Sequence, residues 1–594
     1  MDEPESVLHL ILQAFGQFFS ELSVGGIAAL LVVTCLFTRF FSGINSHFTR
    51  RSRRDRAWSP RAIPHWVPFI GHGVSLGLLR QWLLEKARAN INEPVFALKI
   101  LGRTHHMVTS PSMAKALLEE KSSTSMESFL DHVMENAFGA SKKMRKYNRL
   151  DLYTTSGSTN FITQEPHVST LSSNIVNAIR QSMPNLVSFS PSVVDQYPWE
   201  RTGAISVNNE SNPPTCDVNF YALIRHYVGH ITTTALMGQA FVDVIPSFVP
   251  DLWVFDTRFN AMVIGISRFF PGPGLIPAYS ARLRLIQSLT AFHNAFVTTE
   301  AGNDPGIHWR DLDDVSEFIQ ARCRALIKSG ISAESAASEN LFVLWATNIK
   351  LATITYWNLV HILADDDLHA EVMKEIAPHV QASRPDSRAS GFNIQEPPRL
   401  SLNLDRLLTS CSLLKSTIYE TLRLYTSSFT YRKLTEKLTL TESEEDANLA
   451  KRDRHPYQFH VGEYVAVPQF LLNSDANRFQ KPEEFDHRRY LQERSEGKAS
   501  DGTDFSSKDE KKPQFSSQFD LPELEGILPF AGRDPECNVE EFATRVAMAF
   551  TAAILAMWDI EPADSGPWEI PKKRLGSLVF KPKTEIRVKM KLRI

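Results

Sequence analysis

Cysteine is scarce in this chain. Its 594 residues hold five (Cys35, Cys216, Cys323, Cys411 and Cys537), far apart and odd in number, with no Cys-x-x-Cys. That spacing excludes a disulfide framework and a zinc knuckle, and it fits a reducing compartment. Excess charge of either sign is also missing. A net charge of −3 speaks against nucleic acid as a partner. No Gly-x-Gly-x-x-Gly opens a dinucleotide fold, and no Gly-x-x-x-x-Gly-Lys offers a phosphate loop. No internal repeat points to a solenoid. What the chain has in quantity is apolar mass: 43% hydrophobic and 10% aromatic residues, enough for a large core.

One long stretch carries no charge. From Leu22 to Thr38 the run is wholly uncharged, and Phe40, Phe41 and Ile44 extend it past Arg39. A spanning helix needs about 20 apolar residues, and an arginine near its end can snorkel. The start is acidic (Asp2, Glu3, Glu5), which argues against a signal peptide. Arg50, Arg51, Arg53, Arg54 and Arg56 come after the run, so the positive-inside rule puts the body in the cytosol. Val7 to Phe19 reads as an amphipathic helix in the opposite interface. The expected organisation is an anchor over 1–44, a basic hinge with Pro60, Pro64 and Pro68 over 45–73, and a catalytic body over 74–594. Prolines stiffen and extend such a connector.

Within the body, Val95–Leu101 and Thr104–Thr109 predict a hairpin around Gly102-Arg103. A 3.6-residue period predicts helices over Ser112–Glu120, Ser169–Met183, Tyr221–Leu236, Leu252–Ile266, Ala281–Thr299 and Leu312–Lys328. Ser338–Leu363 is apolar on nearly all sides and predicts a helix through the core. Asn348 and Lys350 are the strongly polar residues at its middle, and Asp365-Asp-Asp367 ends or caps it. Ser410–Tyr425 predicts another helix, where Glu420 and Arg423 share a face at i and i+3. Such pairs are usually solvated, but Leu413, Leu414, Ile418, Leu422 and Leu424 flank this one. Val461–Pro468 reads as strand, and Phe479-x-x-Pro-x-x-Phe-x-x-x-Arg489-Tyr closes the segment. Residues 493–518 are polar and read as a disordered insert, and Ser383–Pro398 is similar. Leu575–Ile594 alternates as a terminal hairpin.

Ile527 to Ala543 holds one cysteine in a turn-rich run, directly before an apolar helix that reaches Trp558. A lone cysteine is most often buried and structural. A thiol at a helix N-terminus, however, feels the positive end of the dipole and is biased toward thiolate, the metal-binding form. Phe530 lies seven before Cys537, Gly532 five before, and Phe542-Ala543 five and six after. This loop resembles the haem-binding Phe-x-x-Gly-x-Arg-x-Cys-x-Gly of the cytochrome P450 family. The Glu-x-x-Arg helix and the Phe-Pro-Phe-Arg-Tyr segment precede it in the family's order, after a membrane anchor and a proline hinge. Trp345-Ala346 and Tyr356-Trp357 are spaced as in the branch of the sterol 7- and 12-hydroxylases and prostacyclin synthase.

The resemblance implies a mainly α fold with small β-sheets (α+β) and haem b (iron protoporphyrin IX), with Cys537 as axial iron ligand. Phe530, Arg432 and Arg533 are then cofactor contacts. Glu420, Arg423 and Arg489 are a buried charge network. It implies monooxygenation of a lipophilic, terpenoid- or sterol-like molecule, as in fungal specialised metabolism. Electrons would come from a separate NADPH-cytochrome P450 reductase at the endoplasmic reticulum membrane. Residues between Phe241 and Pro277 would form the substrate lid, and those near Pro567–Val579 the facing wall.

Three positions of the cysteine loop depart from the family, and so does one pair on the central helix. Arg533 stands four before the cysteine where the family has Gly, Pro535 stands where an Arg usually contacts a haem propionate, and Val539 replaces a Gly. Lys350-Leu351 replaces the acid or amide plus alcohol that delivers protons to bound oxygen. Thr347 and Thr355, one turn away on either side of Leu351, are the expected substitutes, with water admitted near Asn348. The departures leave open two other readings: a haem-thiolate isomerase or dehydratase working without reductase, and a non-catalytic membrane-tethered relative.

Overall fold

A hairpin, a long buried helix and a broken helix are the main landmarks of the fold. The computed structural model describes residues 24–48, 57–120, 122–147, 165–384, 397–491 and 539–593. The polar insert over 493–518 and the loop carrying Phe530, Arg533, Pro535 and Cys537 lie outside these residues, as do the amphipathic stretch before Leu22 and residues 385–396.

The chain divides into two compact units: Met1–Ser125 with Tyr431–Val467, and Met126–Thr430 with Pro468–Ile594. The first is built on a six-stranded sheet in the order Arg61–Ala62, Val95–Ile100, Arg103–Val108, Tyr464–Pro468, Phe429–Leu434, Thr124–Ser125. Its hairpin pairs Val95 with Val108 and Ile100 with Arg103. The two-residue loop has φ of 49° at Leu101 and 76° at Gly102, both positive as a type I′ turn requires. Arg103 therefore opens the second strand instead of sitting in the turn. Pro60 leads into Arg61–Ala62, which pairs in parallel with Phe96–Ala97, and Pro64 and Pro68 follow it.

The N-terminal helix runs from Val24 to Phe48. Arg39 donates to Pro64 O, and its guanidinium lies 5.3 Å from the Trp66 ring, while His65 N donates to Ser42 Oγ at 3.1 Å. Those bonds fasten the helix to the hinge. Among the described residues no helix is long and apolar enough to cross a membrane.

The second unit is mostly helical. Its longest helix, the central helix, runs Ala333–Leu363. It starts five residues before the expected Ser338 because Ser332 caps it, accepting from Ser335 N at 3.4 Å; hydroxyl side chains are favoured at that position. Asp365 does not cap its end. It caps the next helix, Asp366–Ile376, accepting from Leu368 N at 3.0 Å. The predicted helix Leu252–Ile266 is two helices, Phe248–Asp256 and Phe259–Val263. Arg258, with φ −123° and ψ 15°, breaks the helical path between them.

The little strand in the mostly helical stretch falls between two predicted helices: Ser206–Asn208 and Thr215–Asn219. The C-terminus is not one hairpin. Lys581–Pro582 pairs with Lys573–Arg574, while Arg587–Leu592 pairs with Trp558–Pro562 and with Thr215–Asn219. Alternation fixes which face of a strand is buried, but it does not choose the partner.

Candidate active site

The helix Ser412–Tyr425 carries Glu420 and Arg423 with both side chains fully buried. Arg423 Nε donates to Glu420 Oε2 at 2.8 Å and Nη2 to Oε1 at 2.7 Å. Its Nη1 donates to Asn473 O and Pro482 O, both at 2.7 Å. Arg489 Nε donates to both Glu420 oxygens at 3.2 Å, and Asp486 N adds a third donor at 3.0 Å. Phe479 offers its ring to both guanidiniums, at 5.0 Å and 5.7 Å. Such full engagement is what burial of charge demands. The structure thus brings Glu420, Arg423 and Arg489 into one network on the helix beside the central helix.

The central helix has one open stripe. Phe342, Val343, Ala346 and Thr347 are half-buried, whereas Leu344, Trp345, Asn348 and Ile349 are buried. Positions four apart share a face, so the stripe continues to Lys350, Leu351 and Ile354. These three line a cavity with Ile418 and Leu422 of the Glu420 helix and with Ala543, Thr544 and Ala547. The last three belong to the apolar helix Val539–Met557, which begins two residues after Cys537. The lining is apolar except for Lys350 and Thr544, and Thr544 Oγ1 has no hydrogen-bond partner among the described residues.

Of the three distal positions, Thr347 lies on the open stripe. Asn348 faces elsewhere: its Nδ2 donates to Thr233 Oγ1 at 3.2 Å and to Leu344 O at 2.9 Å. Thr355 is seven residues on, so it shares that second face, and it is buried. Arg432 belongs to the other unit, where it is buried and donates to Thr124 Oγ1 at 3.3 Å and Leu118 O at 3.4 Å.

Two residues escaped the sequence reading. Asn358 donates to Thr551 Oγ1 at 3.4 Å and accepts from Thr421 Oγ1 at 3.2 Å. One side chain thereby ties together all three helices around the cavity. Its polarity inside an apolar helix was the available signal. His361 receives or gives a 2.7 Å bond with Tyr425 OH and stacks on Phe485 at 4.0 Å. Burial pushes its imidazole down to about 3, so it stays neutral and structural.

The described lining offers an apolar face, as the ring of a haem requires; the expected thiolate, Cys537, lies outside the described residues. The cavity wall is apolar, and one buried hydroxyl faces it. Burial pushes the thiols of Cys216, Cys323 and Cys411 up to about 12, so all three remain protonated and poor ligands. In sequence, Cys537 stands two residues before the helix that supplies the cavity's third wall.

On one side of the stripe stands a wall of rings. Trp345 stacks on Phe259 at 4.1 Å, and Phe138 lies edge-on to Phe342 and Trp345, 5.4 Å from each.

Comparison with known proteins agrees with this arrangement. The family model described as Cytochrome P450 matches residues 61–586. The chain is 25% identical to cytochrome P450 monooxygenase efuG of Hormonema carpetanum over 89% of each chain. It is 24% identical to cytochrome P450 7A1 of Oryctolagus cuniculus over 91% of this chain and 95% of the relative. Prostacyclin synthase of Rattus norvegicus is 22% identical over 47% of this chain and 50% of its own. With the match spanning most of its length, this chain belongs to the cytochrome P450 family.

Proposed function

We propose that the protein is a membrane-bound haem-thiolate monooxygenase that oxidises a lipophilic small molecule. The observation that carries the reading is the apolar cavity between the central helix, the Glu420 helix and the helix after Cys537. Cys537 would hold the iron of haem b, with Phe530 and Arg533 in the same loop and Arg432 as a further cofactor contact. Bound there, the group supplies insertion of one atom of dioxygen into a C–H bond, the other leaving as water with two electrons and two protons.

This chain's residues do the rest. The amide groups opening the helix at Val539 favour the Cys537 thiolate. Thr347, on the open stripe one turn before Leu351, carries the proton that Leu351 cannot. Asn348 anchors the helix to Thr233, and Thr355, one turn after Leu351 but on the Asn348 side, is the second candidate hydroxyl. The ring wall receives an apolar substrate of terpenoid or sterol type, consistent with relatives named as a cholesterol 7-alpha-monooxygenase and as fungal monooxygenases.

No nucleotide motif is present, so the electrons come from a separate NADPH-cytochrome P450 reductase. The N-terminal helix exposes Leu31, Val32, Leu36, Phe37, Phe40 and Phe41, each more than half accessible. So many bare apolar side chains on one helix suit lipid, and we assign it as the anchor in the endoplasmic reticulum membrane with the body in the cytosol. A second reading has its own observation. Lys350-Leu351 lacks the usual relay, and prostacyclin synthase is among the relatives; both fit isomerisation without reductase.

Turnover with NADPH and reductase under labelled dioxygen separates the two. One labelled atom in product supports the monooxygenase. Unlabelled product formed equally well without reductase establishes the isomerase.

A further inference from the structure

The helix Phe248–Asp256 ends on a carboxylate that is buried and fully engaged. Asp256 Oδ1 accepts from Trp345 Nε1 at 2.8 Å and from Ser577 Oγ, and Oδ2 pairs with Lys581 Nζ. The Asp256 side chain is 0% exposed and that of Lys581 10%. Asn260, just past the helix break, adds a bond from Nδ2 to Gly576 O at 3.1 Å. An ion pair this deep costs desolvation that an apolar pair would avoid. Its placement therefore calls for a reason other than stability.

The two ends of this link are held by different means: the helix by its buried apolar side chains, the C-terminal segment by backbone hydrogen bonds. The 577–581 segment is fixed without Asp256. Phe580 N donates to Tyr425 O at 2.7 Å, Ser427 N to Leu578 O at 2.9 Å, and Trp357 Nε1 to Phe580 O at 2.7 Å. A Cβ on Gly576 would collide with Val579 O, so the turn that delivers Ser577 is tight. Trp345 sits on the long central helix. The helix Phe248–Asp256 is short, and one of its tethers, the Asp251–Arg284 pair, is solvent-facing on the arginine side, which is 53% exposed. Exposed pairs hold weakly.

We propose that Asp256 is a positioning residue. It clasps the helix Phe248–Asp256 to the fixed C-terminal segment, and it holds the Trp345 indole against Phe259. It thereby sets the ring wall beside the open stripe, and with it the affinity for bulky lipophilic ligands, without touching them. The inference about ligands rests on the haem-thiolate reading; the inference about the clasp does not.

The test compares full-length wild type, Asp256→Ala and the double variant Asp256→Asn with Lys581→Gln. In the double variant an amide pair can keep all three bonds without charge. Hydrogen exchange in 248–264 should rise roughly tenfold or more in Asp256→Ala while 576–582 stays close to wild type, as expected of a local opening. The double variant should restore protection. In the haem-loaded proteins, clotrimazole, a bulky azole, should bind Asp256→Ala about tenfold more weakly by its spectral shift, a change of one decade in Kd. Imidazole, too small to reach the wall, should bind all three alike. Unchanged exchange in 248–264, loosening spread through the whole protein, or a double variant as open as Asp256→Ala each overturns the clasp. Equal losses for both azoles overturn its role toward ligands. A wild type with no azole shift defeats the haem reading instead, and the exchange result still decides the clasp. Where Asp256→Ala does not fold, the double variant decides: wild-type exchange supports the clasp, and its loss overturns it.

Discussion

Replacing Arg423 by alanine is the most demanding perturbation of the charge network. The guanidinium makes two bonds to Glu420 and two short ones to the carbonyls of Asn473 and Pro482. Its removal strands the two carbonyls and halves the donors to a carboxylate that is 0% exposed. Breaking a buried pair costs about 3–5 kcal/mol. Glu420 keeps Arg489 and the Asp486 amide, which argues for the lower end. The buried Asn473 carbonyl left without its donor adds roughly 1–3 kcal/mol, while the part-buried Pro482 carbonyl can turn to water. A loss of about 4–6 kcal/mol is expected against a total stability of about 5–15 kcal/mol. The assay is urea unfolding of the full-length protein, with yield of soluble, haem-loaded material beside it. Arg423→Lys should recover little, because one ammonium cannot serve four planar acceptors. A variant Arg423→Ala with an unchanged midpoint and full yield would mean that the bonds described contribute nothing, and the reasoning fails.

The same geometry carries further expected outcomes. Asn358→Leu should lower thermal stability by about 1–3 kcal/mol, since it removes the donor to the buried Thr551 hydroxyl and leaves Thr421 only its bond to Thr417 O; a neutral result in calorimetry contradicts the three-helix tie. Alkylation of the native protein at pH 8 should spare Cys216, Cys323 and Cys411, because burial holds their thiols near 12. A thiol raised that far gains thiolate only as pH climbs, so labelling in the fold should stay slow through neutral pH and appear on unfolding; mass mapping that finds early labels there refutes it. Deleting residues 1–48 should release the protein from microsomes washed at high pH, and continued retention would move the membrane contact elsewhere.

Much of the site was legible because its residues break local rules. Glu420 and Arg423 are charges on an apolar helix, and Asn348 and Lys350 are polar in a run that is otherwise core. The hairpin at Gly102 was legible from its turn. What the sequence hid depends on distant partners. Asn358 meets Thr551 across 193 residues, and Asp256 meets Lys581 across 325. No local pattern encodes such pairs, although each is a polar residue where apolar ones would do. The C-terminal strands alternated as expected, yet Arg587–Leu592 chose Trp558–Pro562 and Thr215–Asn219 over its neighbour. The helix Leu252–Ile266 broke at Arg258 although nothing in its period announced it, and that break sets Asp256 at a helix end.

The central claim is that Cys537 is the thiolate ligand of a haem. Its most direct test is the carbon monoxide difference spectrum of the reduced full-length protein and of two variants. Wild type and Cys411→Ala should both show the thiolate-type band, and Cys537→Ala should lose it. Haem bound in Cys537→Ala with an unchanged band would contradict the assignment.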